Sequence, residues 1–89
     1  MTTPLRVLIL EDRAEDAELM VLELKRAGFD PDWTRVDTKE DYLANLDLYL
    51  DVILSDFVVP QFDGLTALKL LQEQGLDIPF IVVTGSFEE

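Results

Sequence analysis

The chain predicts a single open α/β domain, a doubly wound parallel sheet, and three observations carry that expectation. Three short apolar runs, Leu5 to Leu10, Val52 to Leu54 and Phe80 to Val83, each stop at acidic or hydroxyl residues. Amphipathic segments with apolar residues at three- and four-residue steps separate them. At 89 residues the sequence has room for one domain only. Strands alternating with helices imply right-handed βαβ crossovers, with helices on both faces of a parallel sheet.

Each element follows from local pattern. Leu5 to Leu10, apolar except for Arg6 and too short for a helix, reads as a strand buried on both faces that ends at Glu11 and Asp12. From Arg13 to Ala27, Ala17, Met20, Val21, Leu24 and Ala27 share one helical stripe, with charged residues between them and Gly28 as the stop. Trp33 to Val36 carries Thr34 and Arg35 and so reads as a strand at the sheet margin. Thr38 with Asp41 has the form of a capping box for a helix through Tyr42, Leu43 and Leu46. Asp51 to Ser55 is the second buried strand, bounded by Asp56 and, further on, by Pro60. Asp63 and Gly64 precede helical spacing at Leu65, Leu68 and Leu71, which Gly75 and Pro79 end. Phe80 to Val83 has the composition of a third buried strand and stops at Thr84 and Gly85. The Ser86-x-x-Glu89 pattern resembles a helix start, so residues 1–89 are expected to form a domain incomplete at its C-terminus, with an exposed edge that a second copy could pair with.

Composition narrows the chemistry. Nineteen acidic against seven basic residues give a net charge of −12, which repels phosphate backbones and anionic membrane surfaces and attracts cations or a basic partner. With no cysteine and no histidine there is no thiolate, imidazole or Cys/His zinc chemistry, so carboxylates and hydroxyls must carry any reaction. Neither an apolar run of membrane-spanning length nor a secretory pattern is present, and a cytoplasmic location is expected.

Ligands of open α/β sheets bind beyond the carboxyl ends of the strands. Parallel strands bring Glu11, Asp12, Asp56 and Thr84 to one such rim. Carboxylates crowded there repel unless a cation lies between them, and oxygen donors alone suit Mg²⁺. Blander roles compete. Glu11 alone reads as a solvated strand end, Asp12 with Glu15 fits a capping box, and Thr84 alone is a turn or strand hydroxyl. Pro60 and Gly64 read as loop shapers and Asp63 as a helix cap. Asp56 sits between two apolar stretches, where an unbalanced carboxylate is expensive, and it is the strongest functional candidate. Trp33 and Tyr42 lack aromatic neighbours at readable spacing and suggest packing rather than base stacking.

The pattern resembles the receiver domain of two-component response regulators over essentially the whole chain. The resemblance rests on Val7-Leu-Ile-Leu-Glu-Asp12, on Asp56-Phe-Val-Val-Pro60-Gln-Phe-Asp-Gly64 and on Phe80-Ile-Val-Val-Thr-Gly85. It implies a flavodoxin-like fold of strand order 2-1-3-4, lacking the last helices and the Lys-bearing fifth strand. It further implies a phosphorelay module, not an enzyme that turns over a small substrate. Asp56 would take a phosphoryl group from a histidine kinase or phosphotransfer domain. Glu11, Asp12, Asp56 and the Val58 carbonyl would hold Mg²⁺, and Thr84 would act as the switch hydroxyl. Val58 and Ser86 fall where the family tunes phosphoryl lifetime, and an apolar Val58 implies slow self-hydrolysis. Two other readings remain at this point. One is a non-phosphorylated scaffold acting through protein contacts. The other is an aspartyl phosphatase, which would need a second acid where Val58 stands.

Overall fold

The computed structural model describes residues 2–56 and 62–83. In chain order the elements are β1 (Thr3–Leu10), α1 (Ala14–Arg26), β2 (Phe29–Val36), α2 (Lys39–Asn45), β3 (Val52–Asp56), α3 (Gly64–Glu73) and β4 (Phe80–Val83). The strands form one parallel sheet in the order β2-β1-β3-β4. That is the expected doubly wound arrangement.

Side chains alternate across the strands and divide the core into two layers. Val7, Ile9, Val52 and Leu54 pack with Ala17, Met20 and Val21 of α1. On the opposite face Leu8, Leu10 and Ile53 pack with Tyr42 of α2 and with Ala67 and Leu71 of α3. Tyr42 is fully buried and joins the two helices on its face: its hydroxyl donates to the Ala67 carbonyl at 2.7 Å. Its ring also tilts against Phe62, with centroids 5.2 Å apart. Burial pushes the Tyr42 phenol up to about 12.

Helix ends follow their local chemistry. Thr38 Oγ1 accepts from the Asp41 amide at 3.2 Å and opens α2, as its pattern predicts. Asp63 Oδ1 accepts from the Thr66 amide at 2.8 Å and opens α3, and that hydrogen bond holds the Asp63 carboxyl below the usual range. Beyond α1, Gly28 takes φ 98°, the left-handed region that a side chain disfavours.

Three expectations change. β2 begins at Phe29 rather than Trp33, so Asp30, Pro31 and Asp32 are strand residues. They look like a turn, but an edge strand is paired on one side only and tolerates a missing donor. α1 is not opened by an Asp12–Glu15 capping box, because the N-cap is Arg13 and has no side-chain cap. β4 is not buried like β1 and β3. Ile81 is 50% exposed and Val82 43%, because among the described residues nothing pairs with its outer side. No described helix is long and apolar enough to cross a membrane.

Candidate metal centre

Glu11 and Asp12 follow directly on β1, and Asp56 is the last residue of β3. The two strands are neighbours in parallel register, with Leu10 opposite Ser55, so their carboxyl ends deliver these side chains to the same place. One carboxylate oxygen from each of Glu11, Asp12 and Asp56 lies within 4.8 Å of the others. The three acids expected to converge do so.

Glu11 is fixed from three directions. Its amide donates to the Val36 carbonyl at 3.0 Å, which ties it to the end of β2. Its own carbonyl accepts from the Arg35 guanidinium at 3.2 Å, and its Oε1 accepts from the Arg13 amide at 3.1 Å. At 2% exposure it is not a solvated strand end, which corrects the bland reading of that residue. Its carboxylate bonds the amide of Arg13, the N-cap of α1. Burial pushes the Glu11 carboxyl up to about 7, with a hydrogen bond to Asp12 and the charges of Asp56 and Asp12 adding to the rise and the Arg13 amide opposing it.

Asp56 is half-buried at the end of a strand whose preceding four residues are buried. Beside it, Ser55 is completely buried and its hydroxyl donates to the Asp56 main-chain carbonyl at 3.0 Å. Gly64, the first residue of α3, packs against that hydroxyl. Arg35 and Ser55 escaped the sequence reading. Arg35 was legible only as a polar residue of a marginal strand. Its position opposite Ile9 in the β1–β2 register is what brings it to the rim. Ser55 looked like an ordinary strand terminus. The Val58 carbonyl and Thr84, the other expected site groups, lie outside the described residues, as does Ser86.

Fold and acid cluster together define a class: a doubly wound α/β domain with a carboxylate pocket at the carboxyl rim of its sheet. Comparison with known proteins supplies the family. Residues 7–89 match the response regulator receiver domain, and the chain belongs to that family. It is 33% identical over 84 residues to the probable C4-dicarboxylate response regulator DctR of Halalkalibacterium halodurans, an alignment covering 92% of this chain and 36% of that protein. It is 33% identical over 90 residues to the phosphate regulon transcriptional regulatory protein PhoB of Klebsiella pneumoniae, covering 94% of this chain and 37% of the relative. The cell cycle transcriptional regulator CtrA of Caulobacter vibrioides is 31% identical over 84 residues, with 94% and 36% covered. The chain thus spans little more than a third of the length of these relatives. Among solved structures, the MaeR response regulator bound to beryllium trifluoride superposes with a TM-score of 0.71 at 22% identity, covering 97% of this chain and 69% of that one. That likeness bears on the fold.

Proposed function

We propose that this receiver domain is a phosphoacceptor module in which Asp56 takes a phosphoryl group from a phosphohistidine of a histidine kinase or phosphotransfer domain. The observation that carries the reading is the gathering of Glu11, Asp12 and Asp56 within 4.8 Å at the rim. Oxygen donors alone suit a hard divalent cation, and burial first, with the neighbouring acids adding to it, pushes the Glu11 carboxyl up in the absence of one. Glu11, Asp12 and Asp56 would hold Mg²⁺, joined by the Val58 carbonyl. When bound, Mg²⁺ neutralises negative charge on the phosphoryl oxygens and the carboxylates around them.

The chain's own residues do the rest. An Asp56 carboxylate oxygen attacks phosphorus, the phosphorus–nitrogen bond of the donor breaks, and the imidazole leaves with the electron pair and takes up a proton. The product is an acyl phosphate on Asp56. Arg35 and the Arg13 amide hold Glu11 in place from its carbonyl and its carboxylate. Thr84 is the switch hydroxyl that then engages the phosphoryl oxygen. Self-phosphorylation and slow self-dephosphorylation are the only reactions of such a module, whose place is in the cytoplasm. Its acidic surface disfavours direct contact with nucleic acid or an anionic membrane surface. The exposed Ile81 and Val82 support pairing of β4 with a second copy, which sedimentation equilibrium would read as a dimer.

Intact mass after treatment with acetyl phosphate and Mg²⁺ tests the central step. The wild-type chain gains one phosphoryl group and Asp56→Asn gains none. Equal gain by both would place the acceptor elsewhere.

A further inference from the structure

Gly28 and Gly75 take φ 98° and 73°, and an added Cβ would meet nothing within 4 Å of either, so both serve the backbone turn itself. Gly64 is different. It stands at the first position of α3 without a positive φ, where glycine is among the poorest helix formers. A Cβ at residue 64 would lie 2.9 Å from Ser55 Oγ, 3.6 Å from the Asp56 carbonyl oxygen and 3.8 Å from Ser55 Cβ. The first contact is too close for any side chain and the other two are ordinary. Glycine is therefore required by the space around one buried hydroxyl, which itself donates to the Asp56 carbonyl at 3.0 Å.

We propose that Ser55 is a positioning residue for Asp56: its hydroxyl anchors the acceptor's peptide carbonyl at the end of β3, and Gly64 lets α3 close over that bond. The inference rests on Asp56 being the acceptor. Anchoring the carbonyl fixes the backbone from which the Asp56 side chain springs, and misplacement of a nucleophile by a fraction of an ångström slows in-line attack. Ser55 meets both Gly64 of α3 and the Asp56 carbonyl, so substitutions at 55 and 64 can separate packing from reactivity.

The test compares wild type, Ser55→Ala, Gly64→Ala and the double variant in three measurements. These are denaturant unfolding, the rate of phosphoryl gain from acetyl phosphate at saturating Mg²⁺, and the carbon-13 shift of the Asp56 carbonyl. Gly64→Ala lowers the unfolding midpoint. Adding Ser55→Ala restores most of it, because the new methyl then faces Cβ 55 at ordinary contact. The rate stays about fivefold below wild type in all three variants, the equivalent of one ordinary hydrogen bond. The Asp56 carbonyl resonance moves in each. A rate that recovers with stability in the double variant would overturn the positioning role. Should Gly64→Ala fail to fold, Ser55→Ala alone decides, and a wild-type rate there also overturns it. A wild-type chain that gains no phosphoryl group sinks the acceptor reading instead. In that case the carbonyl shift still judges the anchor, and a resonance unmoved by Ser55→Ala overturns it.

Discussion

At the amino ends of the strands, Asp51 Oδ2 accepts the Arg6 amide at 2.8 Å, and the Asp51 amide donates to the Arg6 carbonyl at 2.9 Å. Asp47 Oδ2 meets the Arg6 guanidinium at 3.4 Å on the exposed surface. At the carboxyl ends of the same strands, Glu11, Asp12 and Asp56 face one another within 4.8 Å, and the Glu11 carboxyl is pushed up to about 7. The residue types are alike and the sheet is shared. What differs is the setting: one rim sets its acids against Arg6 and so holds β1 to β3, whereas the other buries Glu11, even with the Arg13 amide on its carboxylate, and brings three acids within reach of one another, which makes negative charge costly there. The first arrangement serves the fold; the second, in the role proposed for it, serves chemistry at a cost to the fold.

The largest predicted effect lies at the carboxyl rim. The folded-state pKa of Glu11 is raised from 4.5 to about 7. Its contribution to stability is therefore fully present below pH 4.5, is lost as pH rises through 7, and leaves a penalty of up to about 3 kcal/mol above that. In metal-free buffer near neutral pH and above, Glu11→Gln should stabilise the fold by about 1–3 kcal/mol and flatten the fall between the two pKa values. Denaturant unfolding across pH measures both, and a variant less stable than wild type at about pH 8 would contradict the penalty on a charged, buried Glu11.

Next comes the amino rim. Asp51→Ala removes the side-chain acceptor of the Arg6 amide, an exposed hydrogen bond of 2.8 Å, and should cost about 0.5–1.5 kcal/mol, while leaving any response to Mg²⁺ intact. Loss of the Mg²⁺ response in that variant would mean that the two ends are not separable. The smallest effect belongs to the exposed Arg6–Asp47 pair, whose side chains are 45% and 43% exposed. Asp47→Asn, which removes the charge but keeps an oxygen to accept the Tyr49 amide now 2.7 Å from Asp47 Oδ1, should change stability by less than about 0.5 kcal/mol, and the difference should shrink as salt is raised.

How much of this was legible in the sequence depends on range. β1, β3 and the rim acids were readable because apolar runs that stop at acids are a local signal, and parallel strands then dictate a common rim. The caps at Thr38 and Asp63 were readable for the same reason. β2 was read short because Asp30-Pro31-Asp32 has turn chemistry and only its edge position makes it a strand. The solvated reading of Glu11 and the Asp12 cap failed together. The folded chain buries Glu11 and turns its carboxylate onto the Arg13 amide, a tertiary outcome invisible to spacing. The Tyr42–Phe62 contact and the fit of Gly64 over Ser55 join residues distant in the chain, and no periodicity announces either.

The central claim is that three carboxylates at one rim form a divalent-cation pocket. Denaturant unfolding of the wild-type chain at neutral pH, with and without Mg²⁺ at matched ionic strength, tests it most directly. The account predicts stabilisation that rises with concentration to about 2.7 kcal/mol at one hundred times Kd, and its disappearance in Asp56→Asn. An unfolding midpoint indifferent to Mg²⁺, or one that shifts equally in Asp56→Asn, would contradict it.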